Sequence, residues 1–161
     1  LPTKSYRMSY IGMQFDLLDQ NRRNVVGLME PYSPEQWEVV PPGFANNLLW
    51  NAGHLLVTQQ LLTYGLSGQK MLVPEEWIEK YRKGSRPEGK MDLAEAEAIV
   101  EALQEVPRQS RRDYADGLFS DYKMYETSFG TTLHSLEEAI AFNNLHEGLH
   151  LGTMMAIRKF L

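Results

Sequence analysis

Cysteine is missing from the sequence altogether. The chain can therefore form no disulfide, offer no thiolate ligand to a metal ion and use no cysteine nucleophile. The lack of cysteine fits a reducing compartment, so we expect a cytoplasmic protein. Any thiol chemistry of this chain must use a thiol that comes from a second molecule.

Long apolar runs are also missing. The most apolar stretches, such as residues 47–52, are interrupted within a few residues, far short of the roughly 20 residues that a membrane helix needs. Residues 1–6 lack the charged and then apolar pattern of a secretion leader. We therefore expect a soluble protein with no membrane partner.

Positive charge is scarce. Sixteen basic residues against 21 acidic ones give a net charge of −5. The one notable basic cluster, Arg108 with Arg111 and Arg112, is short and lacks the interleaved aromatic residues of a nucleic-acid-binding face. Binding to nucleic acid is therefore disfavoured.

Apolar residues recur with the helical period in four long segments of this chain. The 161 residues are 43% hydrophobic, enough for one globular domain with its own core. No segment shows the alternation typical of a strand. The sequence predicts an all-α fold, a four-helix bundle that forms a single domain over residues 1–161.

The first two helices have clear boundaries. Helix one is predicted from Tyr10 to Met29, where Pro31 stops the pattern. Helix two begins at a cap supplied by Asn46 or Asn47 and continues to about residue 66. Residues 69–90 contain proline, glycine and many charges, so we expect a long connection between helices two and three.

The last two helices each start at a capping residue. Asp92 caps helix three, whose apolar phase continues across Pro107, so one helix kinked at Pro107 is favoured over two separate helices. Residues 117–133 are predicted to be irregular. Ser135 and Glu138 have the spacing of a capping box, and helix four is expected to follow them to the C-terminus.

Three of the four histidines are predicted to point into the core. His146 and His150 lie four residues apart, so both rings share one face of helix four, in phase with its apolar stripe. His54 lies on the apolar stripe of helix two. Inward histidines are costly unless something pairs with them, and one divalent metal ion would satisfy all three. The alternative is that each is a hydrogen-bonded core residue. His134 precedes the cap of helix four and is predicted to lie on the surface.

The segment from His146 to His150 also fits the H-E-x-x-H pattern of zinc proteases. The extended protease motif needs glycine and histidine where Thr153 and Ala156 stand, so a protease is disfavoured. Glu147 lies about 100° around the helix from His146. It could support a ligand from behind, act as a general base, or be a flanking polar residue.

Three further polar residues lie close to the histidines in the helical pattern. Asn51 and Thr58 on helix two and Asn143 on helix four are candidates to line a substrate pocket. Each has an alternative role as a polar packing residue.

Two stretches carry a resemblance to a known family: NNLLWNAGH at residues 46–54 and LHEGLHLG at residues 145–152. They resemble the DinB-like superfamily, which includes bacillithiol and mycothiol transferases. The resemblance implies an up-up-down-down four-helix bundle with a long connection between helices two and three. It also implies a homodimer and a site for zinc, nickel or a similar ion on His54, His146 and His150.

Three neutral histidines leave positions open on a bound ion, as in catalytic rather than structural sites. The resemblance implies transfer of a small-molecule thiol onto an electrophile, with the thiol held at the ion. A metal-dependent hydrolase with Glu147 as the base is the second possibility. The third is a stress-related metal-binding or interaction protein without catalytic activity.

Overall fold

The protein is a bundle of four long helices, and the structure, a computed structural model, describes residues 9–161. The long helices are α1, α3, α5 and α6, while α2 and α4 are short helices in the connections. The helices are α1 Tyr10–Met29, α2 Pro34–Trp37, α3 Leu48–Gln60, α4 Glu75–Tyr81, α5 Leu93–Ala115 and α6 Leu136–Ile157. A π-helical turn, Leu61–Gly65, extends α3. The all-α prediction is confirmed.

Membrane crossing was assessed over the same residues. No helix within residues 9–161 is both long and apolar enough to cross a membrane. Residues 1–6, which lack the pattern of a secretion leader, lie outside the described part of the chain.

Local capping chemistry sets the helix starts. Asn47, not Asn46, caps α3: its side chain accepts a hydrogen bond from the backbone N–H of Trp50 at 2.7 Å. Ser135 caps α6 as predicted, accepting from the N–H of Glu138. The Glu138 carboxylate accepts from the N–H of His134, one residue before the partner that a capping box requires. The fourth helix therefore starts where predicted, with a slightly different cap.

Contacts between the long helices give their directions. Hydrogen-bonded pairs show that α3 is parallel to α5 and that α1 is parallel to α6, because the residue numbers of both partners increase in the same direction. Helices α3 and α6 are antiparallel, because the numbers of one increase as those of the other decrease. The pairs are Gln59 with Ser110 and Tyr64 with Asp113, Gln14 with Asn144 and Arg22 with Glu147, and Asn51 with His150 and His54 with His146. The order is therefore up-down-down-up, and the expected up-up-down-down order is wrong.

The connections explain this order. An up-up-down-down bundle needs two long crossovers, whereas a single crossover between the second and third long helices makes only those two parallel. The predicted long connection between α3 and α5 is present and contains α4. Helix α4 packs closely on α3, because the Tyr81 ring lies over Gly53, where a Cβ atom would be 2.6 Å from the ring. Any larger residue at position 53 would push Tyr81 away.

Helix α5 and the segment before α6 differ in how well local sequence patterns predict them. Helix α5 continues through Pro107 as one helix, as expected. Residues 117–133, predicted to be irregular, contain a small antiparallel hairpin formed by Tyr125–Glu126 and Thr132–Leu133. Strands of two residues are too short to show an alternating pattern, so they cannot be predicted from one.

Candidate metal centre

Helices α3 and α6 bring three histidines together. One ring nitrogen from each of His54, His146 and His150 lies within 4.8 Å of the others. The Nε2 atoms of His54 and His146 are 3.2 Å apart. Two nitrogens bound to one tetrahedral zinc ion lie roughly 3.3 Å apart, given Zn–N distances of about 2.0–2.1 Å. The predicted convergence is confirmed, and the three rings are close enough to hold one ion.

A backbone carbonyl fixes the ring of His54. The Nδ1 atom of His54 lies 2.6 Å from the carbonyl oxygen of Tyr81. A carbonyl oxygen can only accept, so Nδ1 carries the proton and Nε2 presents a lone pair. The indole of Trp50 stacks on the same ring, with centroids 4.6 Å apart and planes 11° apart. His54 is therefore held in both orientation and tautomer.

The amide oxygen of Asn51 fixes the ring of His150. Its Nδ1 atom lies 2.7 Å from Oδ1 of Asn51. The amide nitrogen of Asn51 donates to the Asn47 carbonyl at 2.7 Å and to Oδ1 of Asn46 at 2.8 Å. The oxygen of Asn51 must therefore face the ring, so Nδ1 of His150 carries the proton and Nε2 is free to bind a metal.

His146 lacks such a support. Its Nδ1 atom is buried and has no hydrogen-bond partner among residues 9–161. Its Nε2 atom faces the lone pair on His54, so these two nitrogens share at most one proton. A cation between the rings would satisfy nitrogens that the protein leaves without donors, and the donor set therefore fits a divalent ion.

Burial keeps the cluster neutral. It lowers the pKa of His54, which the hydrogen bond to Tyr81 partly offsets. Burial, reinforced by the charges of His150, His54 and Arg22, lowers the pKa of His146 to about 3. Burial and the neighbouring His54 lower the pKa of His150 to about 4. All three rings are unprotonated at neutral pH, the form that binds metal.

A profile of the DinB superfamily matches residues 17–154, a span that includes all three histidines. The chain belongs to the DinB superfamily. No curated protein matches it. Membership in the superfamily agrees with the helical fold, and together with the three-histidine cluster it is compatible with metal binding.

A cavity of about 320 Å³ opens onto the histidines of this DinB-superfamily protein. Helices α3 and α6, the hairpin and the segment after α4 contribute its walls. The lining residues are Asn46, Trp50, His54, Thr58, Leu62, Lys83, Gly84, Tyr125, Thr127, Ser128, Phe129, Phe142, His146, Leu149 and His150. A small molecule in this cavity would lie directly against the three rings.

The three predicted pocket residues have different surroundings. Thr58 lines the cavity, and its hydroxyl oxygen lies 3.3 Å from Nε2 of His54. Asn51 is buried behind the cluster, where it orients His150. Asn143 is also buried, and its amide donates to Glu147 at 3.2 Å. Of the three, only Thr58 is placed to meet a substrate directly.

Glu147 is buried in an ion pair with Arg22. Its two carboxylate oxygens accept from Nη2 of Arg22 at 2.7 Å and from Nε at 2.9 Å. The same Nη2 donates to the Leu55 carbonyl and to Gln59. To act as a general base, the carboxylate would first have to leave this bidentate pair.

Sequence reasoning missed Arg22, although it left a trace. Arg22 follows Leu18 by four residues and precedes Val25 by three, and all three side chains are fully buried. An arginine within the apolar stripe of a helix requires an anionic partner in the core. The Tyr81 carbonyl that orients His54 left no trace, because every residue has a backbone carbonyl.

Proposed function

We propose that this chain is a metal-dependent enzyme that transfers a small-molecule thiol onto an electrophile. One divalent ion, zinc or nickel, would be held by Nε2 of His54, His146 and His150. The observation that carries the proposal is the convergence of these nitrogens at the wall of a cavity of about 320 Å³. A divalent ion on three neutral histidines keeps open positions and lowers the pKa of a thiol or water that reaches them.

The chain's own residues favour a thiol over water as the nucleophile. Activation of water for hydrolysis commonly uses a general base. None of the residues that line the cavity is a carboxylate, and Glu147 is paired with Arg22. A thiol has an ordinary pKa of about 8.5 and becomes a good nucleophile once that pKa is lowered, without a base. The Thr58 hydroxyl can donate a hydrogen bond to a ligand atom at the cluster.

The simplest form of the reaction is addition to an activated double bond. The thiol releases its proton to water at the cavity mouth, and its sulfur bonds to one carbon of the double bond. The neighbouring carbon then takes up a proton from water, so the product contains all the atoms of the thiol and the electrophile. No other reactant is consumed. The protein binds and orients both molecules and needs no cysteine of its own.

Metal titration tests the site. Calorimetric titration of the metal-free protein with zinc and nickel chloride should give one equivalent per chain for the unaltered protein. The variants His54→Ala and His150→Ala should lose that binding. His134→Ala is the matched control, because this exposed histidine lies outside the cluster and should leave binding unchanged. Equal stoichiometry in all four proteins would contradict the proposed site.

A conjugation assay tests the chemistry. The metal-loaded protein should accelerate the addition of at least one small-molecule thiol to an α,β-unsaturated carbonyl compound, and a chelator should abolish the acceleration. Cleavage of a nitrophenyl ester without thiol would support the hydrolase instead. A protein that binds metal but accelerates neither reaction would be a binding or interaction protein.

We also propose a homodimer, as the family resemblance implies. Exposed apolar side chains on two adjacent helices, Met13 and Leu17 on α1 and Leu145 and Leu149 on α6, support a covered face. Light scattering should give twice the chain mass of 18.5 kDa. A mass of one chain at micromolar concentration would contradict the dimer.

A further inference from the structure

The cavity beside the histidines has a cationic side. Lys83 lines it and lies between Tyr81, whose carbonyl accepts from His54, and Ser85, whose hydroxyl accepts from the Trp50 indole. Lys83 therefore lies at the level of His54 and Trp50 along α3. Its side chain is exposed and has no ion-pair partner within residues 9–161.

The other end of the cavity is aromatic. Phe142 lies one helical turn before His146 on α6, and Phe129, in the loop of the hairpin, packs edge-to-face on it with centroids 5.9 Å apart. Tyr125 lines the same cavity. Phe129 is 60% exposed and Tyr125 43% exposed. Exposed rings around a cavity indicate a surface that a ligand covers.

The charge of this cavity differs from that of the molecule. The chain has a net charge of −5, yet within residues 9–161 the cavity walls contain one lysine and no carboxylate. A neighbouring cavity that shares Trp50 is lined by five acidic residues, Glu35, Glu38, Glu88, Asp92 and Glu95, and by three basic ones, Lys80, Arg86 and Lys90. A bound divalent ion would make the histidine cavity still more positive. The residues that line the histidine cavity therefore have a positive formal charge and those of its neighbour a negative one, so the histidine cavity favours anions.

We propose that the electrophile of this site is an aromatic anion. Its negative group would lie against Lys83, its ring against Phe129 and Phe142, and its reactive carbon between them at the histidines. The span from His54 on α3 to Leu62 in the π-helical turn that follows is roughly 12 Å, enough for a bicyclic aromatic acid. This inference rests on the proposed function, but it depends on different residues.

Ligand binding tests it without relying on catalysis. Calorimetry would compare 2-naphthalenesulfonate with the neutral 2-naphthalenemethanol. Lys83→Ala should weaken the sulfonate about two- to fivefold and leave the alcohol unchanged. Phe129→Ala should weaken both about two- to tenfold. Both side chains are exposed, so the variants should fold, as thermal melts would verify.

Matched controls are available in the chain. Phe160 is 61% exposed and packs edge-to-face on Phe44 at 5.8 Å, as Phe129 does on Phe142, but it lines neither cavity. Lys70 is exposed and also lines neither. Phe160→Ala and Lys70→Ala should leave both affinities unchanged.

The outcomes separate the two proposals. If the sulfonate binds in the Lys83-dependent way and no thiol is transferred, the aromatic-anion site stands and the transferase fails. If thiol transfer occurs but Lys83→Ala and Phe129→Ala bind both probes like the unaltered protein, the aromatic-anion inference is overturned. Failure of the unaltered protein to bind the sulfonate would overturn it as well.

Discussion

His146 and Glu147 are neighbours in sequence, yet their side chains lie in two differently arranged buried clusters. Around Glu147, both carboxylate oxygens are paired with Arg22, which also donates to Leu55 and Gln59. Around His146, three rings present nitrogens toward one another, and the buried Nδ1 of His146 has no partner among residues 9–161. In the first cluster opposite charges are paired with each other, whereas in the second the ring nitrogens face one another and fit a divalent ion.

The difference assigns a role to each cluster. The charged cluster joins α1, α3 and α6, and Gln59 extends it to Ser110 on α5. It therefore fixes the position of α6 relative to α3 and so sets His146 and His150 opposite His54. The histidine cluster contains no ion pair within residues 9–161, and its hydrogen bonds to the Tyr81 carbonyl and to Asn51 orient rings rather than join three helices. Stability and metal binding should respond separately to mutation.

The largest effect should come from breaking the ion pair. Arg22→Met leaves the Glu147 carboxylate buried without its partner, so the free energy of unfolding should fall by about 3–5 kcal/mol. Urea denaturation of the metal-free protein measures this. A loss below 1 kcal/mol would show that the pair is not held as described.

The double variant Arg22→Met with Glu147→Leu is the control. It removes both charges, so most of the lost stability should return. A double variant as unstable as the single one would mean that packing, not an uncompensated charge, causes the loss.

Local chemistry explains which parts of the fold could be predicted. Caps such as Asn47, Asp92 and Ser135 act on neighbouring residues, so the helix starts follow from the sequence. Helix direction depends on connections across the whole bundle. The long connection was recognised, but its consequence, a parallel α3 and α5, was not drawn.

The same distinction applies to the site. The three histidines could be found because helical phase reports which residues point inward. The atoms that orient two of them are harder to find: the Tyr81 carbonyl comes from a different helix, and the helical pattern leaves Asn51 as either a pocket residue or a polar packing residue. Glu147 was recognised as notable, but its partner lies 125 residues earlier, beyond the reach of any local pattern.

Asn51→Ala should affect metal binding more than stability. The substitution removes the acceptor that holds Nδ1 of His150 and sets its tautomer. Loss of such an orienting group typically lowers metal affinity 10- to 100-fold. Competition titration with a chromophoric chelator measures the change. Asn51→Asp, which keeps an acceptor oxygen, should retain more of the affinity, and unaltered zinc affinity in Asn51→Ala would contradict this role.

Acidification should destabilise the metal-free protein. The folded-state pKa values of His146 and His150 are lowered to about 3 and 4, while the unfolded chain titrates near 6.5. Between these values the unfolded chain binds more protons, so stability is highest above pH 6.5 and falls as the pH decreases. Urea midpoints from pH 7.5 to 5 measure the slope.

Two glutamine variants isolate the histidine contribution. His146→Gln removes one titrating ring, so its midpoint should depend less on pH than that of the unaltered protein. His134→Gln changes an exposed histidine and should keep the original dependence. Identical slopes in all three proteins would exclude the cluster as the source.

The smallest effect is expected at Asn143, whose substitution tests whether the charged cluster influences metal binding. Like Asn51 it is a fully buried amide one helical turn from a key residue, but it donates to Glu147. Asn143→Ala removes one donor from a carboxylate that Arg22 still binds, and it also removes a buried amide oxygen that lacks a partner among residues 9–161. The free energy of unfolding should therefore fall by less than about 1 kcal/mol, and zinc affinity should change less than twofold. A tenfold loss of affinity would show that the charged cluster controls the metal site directly.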